Sequence, residues 1–112
     1  MQIVNFKEYG SVAVLGENFE NWVYVGRPNL HYGLPGHPLA NPYIESLYGR
    51  ENCILRFKVW IWNKIKARDE VVMDALKNLS ADSVLVCWCA PKQCHAEIIE
   101  KAWHYCKQEG LL

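Results

Sequence analysis

The chain of 112 residues has no excess of one charge, no block of basic residues and no long apolar run. Its 12 basic and 12 acidic side chains cancel to a formal charge of zero. A strong electrostatic nucleic-acid binder carries a basic excess or stripe, so the composition argues against that class. A pocket for one phosphate needs only one or two cations and stays open. The apolar stretches fall far short of the ~20 residues that cross a bilayer, so no membrane association is expected. Met1 to Lys7 lacks the basic start, apolar centre and small-residue cleavage site of a secretory leader, and a cytoplasmic location is the expectation. Without repeats or low-complexity tracts, the length fits one domain over residues 1–112.

An even set of spaced cysteines is also missing. The five are Cys53, Cys87, Cys89, Cys94 and Cys106, an odd number with three clustered. That pattern, with no export leader, argues against a disulfide framework and for reduced thiols or a metal site. Aromatics, by contrast, are plentiful, with five Trp and six Tyr, enough for a core and for a ligand or partner surface.

Local patterns suggest the elements. Ile3 to Phe6 and Ser11 to Leu15 are short and rich in β-branched or apolar residues, with a turn from Lys7 to Gly10 between them. Trp22 to Val25 reads as a strand ended by Gly26. A loop of about twenty residues follows, dense in Gly and Pro, and loops of that length in small domains are often functional. Arg50 to Lys66 contains no Gly or Pro, and Ile54, Phe57, Ile61 and Ile65 follow helical spacing; alternation of Leu55, Phe57, Val59 and Ile61 is the competing strand pattern, and the helix is preferred. A second helix is expected from Asp69 to Leu79. Ser83 to Cys89 is a nearly continuous apolar run, the mark of a strand covered on both faces. Ala90 to Gln93 reads as a turn, and the last helix runs from about Cys94 to near Gly110, with Ile98, Ile99, Ala102, Trp103 and Cys106 inward. The result is a compact α/β domain with a small central sheet, packed helices and a C-terminal strand-turn-helix.

That last unit carries the chemistry. Alternation along the strand puts Cys87 and Cys89 on one face and Trp88 on the other. The turn then lies at the carboxyl end of a strand, where open α/β sheets bind ligands, and the helix start offers unpaired N–H groups to an anion. The same N–H groups lower a thiol pKa, which points to Cys94 as the thiolate. His95 shares the register of Ile98, Ile99 and Ala102 and leans toward the sheet; as adjacent helical residues, Cys94 and His95 are not expected to face one another.

Three readings stay open. Cys87, Cys89, Cys94 and His95 form an accepted ligand set for zinc, although zinc sites usually draw on two separate knuckles. Cys94 or Cys89 could instead be a nucleophile or redox thiol, assisted by His95 or an arginine. In the third, Cys87 and Cys89 pack in the core while Cys94 and His95 cap a helix or hold an anion without covalent chemistry. Arg27, just after a strand, suits a bidentate clamp on phosphate or carboxylate. Asn41, before Pro42, could orient a ligand or bond the loop to itself. Arg50 opens a helix, where a cation is unfavourable unless an anion is present, so it too points to an anion site. His31 and His37 read as loop packing, Cys53 and Cys106 as buried, and Trp60 and Trp62 as packing or an interface.

The stretch Val23 to Pro28, then Leu39 to Tyr43, then Arg50, then Leu85 to His95 with its Cys-Trp-Cys-x-Pro-x-x-Cys-His pattern, resembles the domain of unknown function 4326 family of small bacterial and phage proteins. The resemblance runs from about Val23 to Trp103. The family usually shows Gly-Asn-Pro-Phe where this chain has Ala40, Asn41, Pro42 and Tyr43. It implies a compact α/β fold, a helix over Arg50 to Lys66, and host cytoplasm if phage-encoded, but no activity.

Together the residues predict a site that binds, and could modify, a small anionic ligand such as a nucleotide or sugar phosphate. Cys94 and His95 are the catalytic candidates; Arg27, Asn41, Arg50 and Cys89 are the ligand-binding ones. No cofactor is predicted, and zinc or iron is what the cysteines would take if they bind a metal. The alternative is a non-catalytic interaction module with structural or metal-binding cysteines, pairing with a second copy through exposed aromatics.

Overall fold

The computed structural model describes residues 1–89 and 92–112. Three strands form one sheet: β1 (Gln2–Asn5), β2 (Trp22–Tyr24) and β3 (Val84–Cys87). Their order is β1-β3-β2, and both pairings are parallel. The last strand in sequence is therefore the middle one in space. Every residue of β3 is buried, as its unbroken apolar composition requires of a strand covered on both faces. Among the described residues five α-helices accompany the sheet: α1 (Val12–Asn18), α2 (Glu45–Tyr48), α3 (Arg50–Lys66), α4 (Glu70–Lys77) and α5 (His95–Gln108).

Strand alternation divides the core in two. Leu85 and Cys87 join Phe57, Ile61 and Ile65 of α3, Val72 and Leu76 of α4, and Ile99, Ala102 and Trp103 of α5. Val84 and Val86 face the other way, with Val4 and Tyr24, onto Leu15 of α1, Phe6 and Leu34. Trp88 follows the second set, its ring tilted against Phe6 at a centroid distance of 4.9 Å, while Cys89 packs with the first. The predicted opposition of Trp88 to Cys87 and Cys89 is what the chain adopts, although the strand itself stops at Cys87.

The helix over Arg50–Lys66 matches its expected bounds, and Asp69 caps α4 by accepting the Val72 N–H at 3.1 Å. The extended reading of Ser11 to Leu15 is overturned. Ser11 accepts the Val14 N–H at 3.2 Å and starts α1, so a cap outweighs the β-branched composition of a short segment. At the other expected strand, Phe6 already belongs to a 3-10 turn, Phe6–Glu8. Within the turn expected at Ala90 to Gln93, Ala90 and Pro91 lie outside the described residues, and the Lys92 N–H bonds back to the Cys89 carbonyl at 2.8 Å. Trp60 stacks on Phe57 and Trp62 meets Tyr105 edge-on, which is packing within the chain. No described helix is long and apolar enough to cross a membrane.

One close approach locks the end of β2. The Tyr24 hydroxyl donates to the Arg27 carbonyl at 2.6 Å and accepts from Trp88 Nε1 at 2.9 Å. Its ring end lies where a side chain at Gly26 would go. Because both bonds hold the ring in place, Gly26→Ala should cost about 1–3 kcal/mol in chemical denaturation. Combined with Tyr24→Phe, which removes the nearest clashing atom and both bonds that hold the ring, the loss should be smaller than the sum of the two single losses.

Candidate functional site

The carboxyl ends of the three strands open into a cleft of about 410 Å³. This is within the range of small-molecule sites and at the edge where parallel α/β sheets place ligands. Arg27 and Asn41 reach it from the long loop after β2, Arg50 from the start of α3, Cys87 from the end of β3, and Cys89, Cys94 and His95 from the link into α5. Every site residue read from the sequence therefore lines one cavity. Tyr24, Tyr43, Glu45, Cys53, Trp88 and Gln93 line it as well. Strand alternation could have pointed to Tyr24 and Trp88; no pattern in the sequence marks Glu45 or Gln93.

His95 is buried, at 8% exposure, and its Nε2 lies 2.7 Å from the Val25 carbonyl oxygen. A carbonyl can only accept, so Nε2 carries the proton and Nδ1 presents a lone pair. Burial pushes the imidazole pKa down, against the pull of the Val25 carbonyl, so the ring is neutral. Nδ1 lies 3.6 Å from Cys94 Sγ, so the Cys94 thiol can donate to it. The expectation that the two side chains would not meet fails for a local reason. Cys94 is the residue before the helix, with extended backbone at φ −142 and ψ 149, and helical facing rules do not apply to it.

The thiolate also moves from its expected position. Cys94 is buried at 1% exposure. Its hydrogen bonds with Cys87 and Cys89 and its burial hold its pKa above the ordinary thiol value, against the opposing effect of the Ala96 N–H. Cys89 is half-buried, and its hydrogen-bonding contacts with the Cys87 and Cys94 thiols and the Arg50 guanidinium hold its pKa well below that value. Of the two, Cys89 is the thiol whose ionisation its surroundings favour, and the helix start serves its neighbour.

The arginines differ. Arg50 pairs with Glu45 at 3.3 Å and donates to the Gln93 carbonyl at 3.0 Å. Glu45 and the Cys89 sulfur supply the negative charge that a cation at a helix start demands. Arg27 is exposed and makes no ion pair among the described residues. Asn41 holds the loop to α3: its Nδ2 donates to the Cys53 carbonyl at 3.1 Å and its Oδ1 accepts from the Tyr43 N–H at 2.9 Å. Cys53 donates to the Arg50 carbonyl at 3.1 Å, joining that same corner. His31 and His37 lie in the loop, His31 against Tyr32 and His37 accepting the Leu39 N–H.

Residues 14–104 match the family described as a domain of unknown function (DUF4326). The chain belongs to that family. No curated protein and no solved structure matches it. The match takes in α1 as well as the stretch from β2 to α5, so in this DUF4326 domain nearly the whole fold around the cleft is the family's. Among the described residues, no group of three or more His, Cys, Asp or Glu is arranged to hold a metal ion.

These contacts predict a selective thiol. Iodoacetamide at pH 6 should label Cys89 first among the five cysteines, because a lowered pKa preserves the thiolate below the ordinary thiol range. Arg50→Gln should move the midpoint of the Cys89 alkylation profile upward. An unchanged midpoint would remove Arg50 as the cause.

Proposed function

We propose that the cleft binds a small anionic ligand of the nucleotide or sugar-phosphate type, with Arg27 and Arg50 pairing with its phosphate. The observation that carries this reading is the joint lining of one cavity, at the carboxyl ends of parallel strands, by both arginines and the cysteine-histidine segment. Arg27 has a guanidinium without an ion pair among the described residues, so it can take a phosphate oxygen without breaking an existing contact. Arg50 is held by Glu45 and would share its charge between that carboxylate and the ligand. Asn41 contributes by fixing the loop, and Cys89, half-buried beside Arg50, is the group through which a bound ligand would be modified.

A zinc or iron centre on Cys87, Cys89, Cys94 and His95 is the competing reading. It would require His95 to release the Val25 carbonyl or to exchange its Cys94 contact for the metal. Metal analysis of the native protein separates the two: one equivalent of zinc or iron would favour the metal centre.

Titration with inorganic phosphate and with a nucleoside monophosphate, followed by calorimetry, tests the anion site. Saturable binding is expected. Arg27→Gln should weaken it about 10–100-fold, the usual effect of losing a hydrogen bond between charged groups. Glu45→Gln should tighten it by freeing Arg50. Absence of binding at millimolar concentrations of both probes would overturn the assignment, as would an Arg27→Gln variant with unaltered affinity.

A further inference from the structure

The three thiols at the cleft are unequal in access and in surroundings. Cys89 is half-buried on the cleft wall, whereas Cys87 and Cys94 are buried. An oxidant entering the cleft reaches Cys89 first. Its sulfur already touches both other thiols and the Arg50 guanidinium. The two neighbours are not equivalent partners. Cys87 ends β3, paired with Asn5 across the sheet, and its thiol donates to the Val4 carbonyl at 3.5 Å. Only Trp88 separates it from Cys89, and bridging residues so close in sequence forces a small, strained ring.

Cys94 has none of these restraints. It stands before α5 with an extended backbone, outside the sheet ladder. The Lys92 N–H bonds to the Cys89 carbonyl at 2.8 Å, which brings Lys92, two residues before Cys94, against Cys89. A proton acceptor is also in place, because His95 Nδ1 presents its lone pair 3.6 Å from Cys94 Sγ. An attacking sulfur, a buried neighbour and a base for that neighbour's proton are the parts of a dithiol that closes on oxidation.

We propose that Cys89 and Cys94 form a redox pair whose oxidant is a hydroperoxide. This goes beyond the anion site and does not depend on it. In the first step the Cys89 sulfur attacks the outer oxygen of the hydroperoxide. The O–O bond breaks, two electrons pass from sulfur to the leaving alkoxide, and the alkoxide takes up through water the proton that the Cys89 thiol gave up, leaving as an alcohol. Cys89 is then a sulfenic acid. In the second step the Cys94 sulfur attacks the Cys89 sulfur while its proton passes to His95 Nδ1. The S–O bond breaks, and the departing hydroxide recovers that proton as water. The sum is two thiols and one hydroperoxide converted to one disulfide, one alcohol and one water; with hydrogen peroxide the alcohol is a second water.

Reduced full-length protein treated with one equivalent of hydrogen peroxide tests this. The intact mass should fall by two hydrogens. Trypsin cuts after Lys92, so the peptides carrying Cys89 and Cys94 should then be joined until a reductant is added. Cys94→Ala should stop at a sulfenic acid that dimedone captures on Cys89, and Cys89→Ala should give neither product. Cys53→Ala, altered at the cleft wall but outside the pair, should still close. Circular dichroism on each variant checks folding, and the wild-type peptide map needs no variant. A crosslink mapping to Cys87 or Cys53, a disulfide that persists in Cys89→Ala, or dimedone on a different cysteine in Cys94→Ala would overturn the proposal.

Discussion

The bond between His95 Nε2 and the Val25 carbonyl ties the first turn of α5 to the end of β2. Because a carbonyl cannot donate, this contact also decides which ring nitrogen carries the proton. Nδ1 is thereby turned toward Cys94, and Cys94 is set against Cys87 and Cys89. A buried imidazole without such a partner would be costly. The requirement to satisfy it therefore fixes the wall of the cleft and the arrangement of its thiols at once.

Around that bond, charge is distributed by contact more than by helix ends. The surroundings raise the pKa of the sulfur on the helix side of the link and lower that of the one nearer the strand. Arg50 belongs to both halves of the site. It compensates a thiolate, pairs with Glu45 on α2, and holds the Gln93 carbonyl on the segment leading into α5. The long loop contributes a different kind of cation in Arg27, which is exposed and carries no ion pair among the described residues.

Features that repeat along the chain were legible from the sequence. The apolar spacing in Arg50 to Lys66 is long enough for periodicity to identify the helix, and the apolar run in β3 marks a doubly covered strand. The cleft residues could be gathered because each follows or opens an element at the same sheet edge. What resisted reading depends on single contacts. One cap at Ser11 turns a strand-like segment into α1. The ionisation of Cys89 comes from side chains on β3, α3 and the residue before α5, which no local spacing encodes. Asn41 presented two readings, and its hydrogen bonds favour the one that ties the loop to itself and to α3.

The strand order has a consequence for how the molecule comes into being. Among the described residues, β1 pairs only with β3, Gln2 against Val84, and β2 likewise has β3 as its sole sheet partner. During synthesis both early strands must wait, unpaired, until the chain through Cys87 has left the ribosome. The helices α3 and α4 can form locally before then. Sheet closure is a long-range, late event, so this small domain should fold slowly for its size, and its early strands are most open to mispairing while the chain is still growing.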